Sequence, residues 1–367
     1  MAEHSFGKKF LALLATGRVA NLPTVWSNVV MAYFLAISLP TSHLGIPDLR
    51  QFLLEEGPHF DYWLIFFACI ATSLLYVGGC MLGDCRDIHF DRKHRPGRPL
   101  VTGLLSTTSV AITAWTFLAL GLAIGSLSTG SALIIALNIP LDRLTTLDSL
   151  IPYAQLSLLV ILTTAIILYA FFHKKSRLTA LLNMGLCRAL LVLFSFSLAF
   201  PILLSVRNSP YHFPWLSAPL LIIASSVGIY TLLLASVAAT ESNKNKIEFS
   251  ILLKTSMFFL PILAVAALVI KDNTLLPVFN NLPETAETYS SNTLRWYFIG
   301  TLVAYCGWMI HSFSSLPHDK PAFVSRALAG FCLLDACFAA TYSVTVSFVC
   351  IILFGLALLL QKITPAT

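Results

Sequence analysis

Phe60-Asp-Tyr-Trp-Leu-Ile-Phe-Phe-Ala-Cys-Ile-Ala-Thr-Ser-Leu-Leu-Tyr-Val-Gly-Gly-Cys-Met-Leu82 runs directly into Gly83-Asp-Cys-Arg-Asp-Ile-His-Phe-Asp-Arg-Lys-His-Arg-Pro-Gly-Arg-Pro-Leu-Val-Thr-Gly103. The first segment is apolar apart from Asp61 and is long enough to cross about 30 Å of hydrocarbon as a helix. The second opens with Asp84, Asp87 and Asp91. Their spacing of i, i+3, i+7 predicts three carboxylates on one helical face. Acids so close to a bilayer core are costly and usually functional. Such a face can hold a hard divalent cation, and Mg²⁺ commonly bridges one or two carboxylates to a phosphate. From Asp84 to Arg98 these three acids stand against Arg86, Arg92, Lys93, Arg95 and Arg98, a net of +2. Carboxylates for a cation, with cations in excess, suit a diphosphate.

Composition generalises the first reading to the whole chain. Of 367 residues, 57% are hydrophobic and only 11% charged, and the mean hydropathy is +0.81. Apolar runs of 18 or more residues recur along almost the whole length, each able to span a bilayer. The expected fold class is an all-α polytopic membrane protein, a single domain over 1–367. The net charge of +6 then reflects loop placement rather than nucleic-acid binding, and no basic patch interleaved with aromatics lies in a soluble segment. The eight cysteines fall almost entirely within apolar spans and form no C-x-x-C pair. They read as small buried hydrophobes, with neither a zinc site nor a disulfide framework implied. Lys8 and Lys9 precede an apolar run cut short by Arg18, which reads as an interfacial lead-in rather than a signal peptide.

Spans are predicted at 22–40, 60–82, 104–125, 153–173, 180–206, 214–240, 249–270 and 294–314. The last apolar stretch, 327–361, is too long for one crossing. It is either one span preceded by a half-inserted helix or two spans joined near Thr341, so nine spans are expected, and ten if it divides. Pro201 and Pro261 fall within spans and predict kinks. The N-terminus and the loops carrying 83–103, Lys174, Lys244 and Lys320 hold 15 basic residues, against 5 at the opposite ends. The positive-inside bias therefore predicts that the N-terminus and the aspartate loop face the cytoplasm, in the inner membrane if the source is bacterial. The longer loops 41–59, 126–152 and 271–293 fall on the other side.

The 83–103 segment resembles the first aspartate-rich motif of the UbiA superfamily of intramembrane prenyltransferases, N-D-x-x-D-x-x-x-D followed by P-x-R-P and a glycine. Asp84, Asp87, Asp91, Pro96, Arg98, Pro99 and Gly103 match it, with Gly83 in place of the Asn. Further matches follow in order. Arg18-Val-Ala-Asn21-Leu-Pro23 is similar to the family's opening Arg and Asn/Pro. Tyr169 to Lys174, followed by Arg177, is similar to the tyrosine-and-basic end of its fourth span. Asn183 to Arg188, Val237-Ala-Ala-Thr-Glu241 and Arg326 to Asp335 resemble a branch that includes the EboC-like proteins. That branch has a degenerate second aspartate motif, and here the corresponding region, 237–246, offers Glu241 where two or three acids are usual. Lys244 and Lys246 follow it, so either a second metal is held weakly, or these lysines replace its charge, or the chemistry has been lost.

The resemblance implies a bundle of about nine helices around a central cavity, and Mg²⁺-dependent transfer of a prenyl group from a prenyl diphosphate to an apolar acceptor within the lipid bilayer. It implies Asp84, Asp87 and Asp91 as catalytic metal ligands, and Arg18, Asn21, Arg98, Lys174, Asn183, Arg188 and Glu241 as contacts to the diphosphate. Simpler readings stand beside these roles. The acids suit a salt-bridged helix end, Lys174 a topology anchor, Asn183 and Arg188 a structural polar pair, and Glu241 a solvated loop. Asp335, deep in its span, needs a partner in any case. The alternative function is a non-catalytic binder or carrier of a polyprenyl or related lipid precursor. A transporter has less behind it, because no inverted repeat or paired broken spans are visible.

Overall fold

Long apolar stretches without prolines in their interiors become helices because lipid leaves the backbone no other way to satisfy its polar groups. In the computed structural model, residues 6–44, 58–138, 151–199, 218–239, 257–259, 291–316 and 318–364 are described. Among them are eleven α-helices and two short 3₁₀ turns, at Val19–Asn21 and Met257–Phe259, and no strand. The helices are α1 (Phe6–Thr16), α2 (Leu22–Leu44), α3 (Pro58–Arg86), α4 (Ile88–His94), α5 (Thr107–Asn138) and α6 (Ile151–Phe172). They continue with α7 (Arg177–Ser197), α8 (Ala218–Ala238), α9 (Ser291–Ser315), α10 (Lys320–Ala340) and α11 (Val344–Ile363). Eight of them, namely α2, α3, α5 to α8, α10 and α11, are long and apolar enough to cross a membrane. The protein is an integral, multi-pass, all-α membrane protein. The α9 helix is long enough, but its Tyr, Trp, Thr and Ser residues dilute its hydropathy and it is not one of the eight.

The 327–361 stretch takes the second of its two readings, two helices, α10 and α11, divided at Thr341–Ser343. There Thr341 turns its hydroxyl back to the Phe338 carbonyl at 2.7 Å, and Ser343 caps α11 by accepting from the Val346 N–H. The third predicted span continues to Asn138, so the loop expected from 126 begins inside α5. Of the 249–270 span only Met257–Phe259 is described, and Pro201, Pro261, Glu241 and nearly all of the second motif lie outside the described residues. Phe258 is nevertheless fixed. It is fully buried, its ring 4.8 Å from Tyr230, and its carbonyl accepts from the Tyr305 hydroxyl.

The centre of the bundle is α2 with α10. In both, 78% of the membrane-length window is buried, against 22% for α11. The α2 helix packs on α3, α7, α10 and α11, while α3, α5 and α6 pack on one another and α8 packs on α7 and α10. In lipid, such contacts rest on close packing and hydrogen bonds rather than on expulsion of water. The α7–α8 crossing shows how close they come. A Cβ on Gly185 would stand 2.8 Å from the Gly228 carbonyl oxygen, and one on Gly228 would stand 3.0 Å from that of Gly185.

Candidate functional site

The site forms where α1 meets the end of α3. Thr16 closes α1 by donating its hydroxyl to the Ala12 carbonyl at 2.8 Å. Gly17 follows against α3, where a Cβ would meet Val77 at 2.9 Å. Arg18 then adopts φ 49° and ψ 43°, the one non-glycine left-handed residue among those described. This is the backbone turn that glycine usually makes after a helix, and for a side-chain-bearing residue it costs roughly 1–2 kcal/mol. It leaves the guanidinium beside the last turn of α3, with Nη2 3.5 Å from Asp84.

The Pro96-Gly97-Arg98-Pro99 turn supplies the second cation. Backbone bonds from the Arg98 N–H to Arg95, and from Val101 and Thr102 back to the Arg98 carbonyl, coil the segment into a fixed loop that ends at Gly103, φ +74°. Arg98 Nη1 donates to both oxygens of Asp84, at 3.0 and 3.1 Å. The result is a cavity of about 310 Å³ at this end of the bundle, lined by Ala15, Thr16, Arg18, Asp84, Arg95, Gly97, Arg98 and Pro99. Its wall carries three guanidinium groups and one carboxylate, a net of +2.

The three acids do not share one face as the spacing predicts: Asp84 and Asp91 border one cleft, and Asp87 meets other partners. The α3 helix ends at Arg86, Asp87 stands at the N-cap position of the short α4 without a side-chain cap bond, and Asp84 and Asp87 find separate partners. Asp91 is buried and borders a narrow cleft with Asp84, Thr16, Arg98, Pro99 and Leu100. Asp87 faces the end of α6, where Lys174 Nζ lies 2.9 Å and His173 Nε2 3.2 Å from its carboxylate. Burial alone would raise the Asp87 carboxyl, but the hydrogen bonds from His173 and Lys174 outweigh it and hold it below the usual carboxylate range. The same hydrogen bond raises the His173 imidazole above its ordinary value against the opposing effect of burial. Lys174 also sits 3.6 Å from the Phe90 ring centroid, and Arg86 lies 4.5 Å from that of Phe171. These are cation–π contacts that tie the end of α6 to the end of α3 and to α4.

Of the other sequence candidates, Arg18 and Arg98 are on the cavity wall and Lys174 is on Asp87. Asn21, Asn183 and Arg188 are not among the lining residues. Asn21 donates to the Tyr76 hydroxyl at 3.1 Å, and Asn183 donates to the Ala165 carbonyl at 2.8 Å, tying α7 to α6. Arg188 is buried in the bundle, where its guanidinium donates to the Thr24 carbonyl, the Thr24 hydroxyl and Asn28 Oδ1 at 2.8 to 3.1 Å. Asn28 in turn donates to Asp335 Oδ2 at 2.7 Å, alongside Ser27 at 2.5 Å. One amide thus relays between a buried cation and a buried anion, and this is the partnership that Asp335 needed. Glu241 lies outside the described residues. Sequence reasoning missed His173 and Arg95 as site residues. His173 stands in the quoted 169–174 segment, but its partner is 86 positions away. Arg95 immediately precedes the P-x-R-P turn, and nothing in that pattern singles it out.

Mg²⁺ requires near-octahedral oxygen ligands, commonly one or two carboxylates with phosphate and water. Here both oxygens of Asp84 accept from Arg98, and those of Asp87 meet His173 and Lys174. Among the described residues no three His, Cys, Asp or Glu side chains group as metal ligands. The described residues as placed do not fit a resident Mg²⁺. What they do offer is a fixed, partly shielded excess of guanidinium charge, suited to an anion with several oxygens. No protein-family model matches the sequence, and no solved structure matches the chain.

Proposed function

We propose that the chain is an intramembrane prenyltransferase that holds a prenyl diphosphate by its headgroup at the Arg18–Asp84–Arg98 cavity and passes the prenyl group to an apolar acceptor in the bilayer. The observation that carries this reading is the cavity itself, with three guanidiniums around one carboxylate at the end of apolar spans. The resemblance of 83–103 to the UbiA pattern supports it from the sequence. The headgroup lies against Arg18, Arg95 and Arg98, and the isoprenoid chain extends along the apolar helices. In the reaction the bond between prenyl carbon and diphosphate oxygen breaks, and its electron pair leaves with the diphosphate. Arg18 and Arg98 stabilise that departing charge by charge-assisted hydrogen bonds. The apolar surroundings keep water from the prenyl cation until an electron pair of the acceptor bonds to it, and the acceptor's displaced proton leaves with the diphosphate. Among the described residues the carboxylates as placed do not supply the ligands of a metal, and the departing charge falls to the guanidiniums. The excess of basic residues on the loops at this end supports a cytoplasmic position for the headgroup site.

The second reading, a non-catalytic binder or carrier of a lipid diphosphate, is favoured by one observation, that Asp84 and Asp87 are each already neutralised by protein cations. The purified chain separates the two. With geranyl, farnesyl or geranylgeranyl diphosphate, a membrane lipid extract and Mg²⁺ in the buffer, the enzyme releases diphosphate, and Arg98→Ala does not. Binding without release gives the carrier, and neither binding nor release contradicts both.

A further inference from the structure

We infer that this site captures its diphosphate without a metal, and that Asp84 is a place-holding counter-ion which the ligand displaces from Arg98. This rests on the diphosphate reading proposed above and reverses the role that a carboxylate in such a motif would otherwise have.

The order in which the charges meet the cavity carries the argument. The side chains of Arg18 and Arg98 are 34% and 20% exposed, whereas that of Asp84 is 9% exposed. An incoming headgroup therefore meets guanidinium first, with the carboxylate behind it. A metal would have to pass that layer of positive charge to reach Asp84, and would then compete with Arg98 for both oxygens. The cavity wall holds no second carboxylate for it to share, since Asp87 faces His173 and Lys174 at the end of α6 and Asp91 is buried in the narrow cleft beside Asp84. Arg95 is exposed, lines the same cavity and makes no ion pair among the described residues. It is a free cation at the rim for the outer phosphate. The left-handed turn at Arg18 adds to this, because strained backbone of that kind persists mainly where surroundings and function hold it.

Asp84 fills the place that a phosphate oxygen would take. It has the same charge sign and the same two-oxygen acceptor geometry toward Arg98. With the ligand absent it keeps the guanidinium cluster neutral enough to remain packed at a membrane-proximal site. With the ligand present, Arg98 exchanges one anionic partner for another. Such an exchange needs no added cation, because the wall already carries a surplus of two positive charges.

The test is equilibrium binding of farnesyl diphosphate and of inorganic pyrophosphate to the full-length purified chain, in EDTA and in Mg²⁺. The inference expects capture of farnesyl diphosphate in EDTA with no more than a small gain in Mg²⁺. Arg98→Ala should weaken it by about tenfold or more, the scale of a lost hydrogen bond to a charged group. Asp84→Asn is the decisive variant. It should tighten binding in EDTA by about tenfold, because Arg98 no longer has a competing anion. A strict Mg²⁺ requirement, or equal or weaker binding by Asp84→Asn, would overturn the inference and leave the diphosphate reading standing. No capture under either condition would overturn both. Tighter capture of farnesyl diphosphate than of pyrophosphate assigns a lipid ligand, and equal capture assigns a soluble diphosphate; both are metal-free on this account.

Discussion

Arg98 commits a single nitrogen, Nη1, to both oxygens of Asp84, and Arg18 approaches the same carboxylate from a position 66 residues away. Arg98→Ala should therefore cost about 1–3 kcal/mol of stability, since a mostly buried carboxylate loses its closest donor. Arg98→Lys should recover part of that. Thermal melts in detergent measure both. The Arg188–Asn28–Asp335 relay is more deeply buried, and Asp335→Ala should cost about 3–5 kcal/mol by stranding Arg188. Adding Arg188→Met to that variant should cost far less than the sum of the two single changes, and strict additivity would mean that the relay does not couple them. The His173–Asp87 pair gives a pH signature. The imidazole is raised in the fold, so its contribution is complete below its ordinary value and fades as pH rises through the raised one. The carboxyl is lowered, so its contribution is complete above its ordinary value and fades as pH falls through the lowered one. The pair is thus at full strength between about pH 4 and 6.5, the ordinary values of the two groups. The melting temperature of wild type minus that of His173→Gln should be largest in that window and shrink above it. A flat difference would contradict the pairing.

At the scale of elements, glycine contacts set how closely helices cross. Gly185→Ala should destabilise the α7–α8 crossing by about 1–3 kcal/mol, because its Cβ meets the Gly228 carbonyl oxygen at 2.8 Å, a rigid neighbour. Gly83 is the contrast. Nothing lies within 4 Å of where its Cβ would stand, so Gly83→Asn, which restores the residue usual in the motif it resembles, should melt no lower than wild type. The spans were legible because an apolar run of membrane length has one regular option in lipid. The split of 327–361 was less so. Thr341-Tyr-Ser343 barely lowers the hydropathy, and the break rests on a local cap, Ser343 to the Val346 N–H. The aspartate motif was legible as a charged helix end, but not as two acids at one cleft with the third turned to the end of α6. Helical spacing fixes which face a residue takes, whereas Arg18, His173 and Lys174 arrive from other helix ends through tertiary packing that no local pattern encodes.

For the whole molecule, the bundle joins a polar end, with the cavity and its surplus of guanidinium charge, to a long apolar body. A diphosphate attached to an isoprenoid chain has the same division. The proposed function rests, in the sequence, on resemblance alone, since an acceptor would be recognised by the collective shape of apolar residues rather than by any motif. The measurement that tests the account most directly is diphosphate release from farnesyl diphosphate by the purified wild-type chain with a membrane lipid extract, beside Arg98→Ala. The account predicts steady release by wild type, accompanied by a prenylated lipid product, and its loss in the variant. Absence of release by the wild type would contradict it.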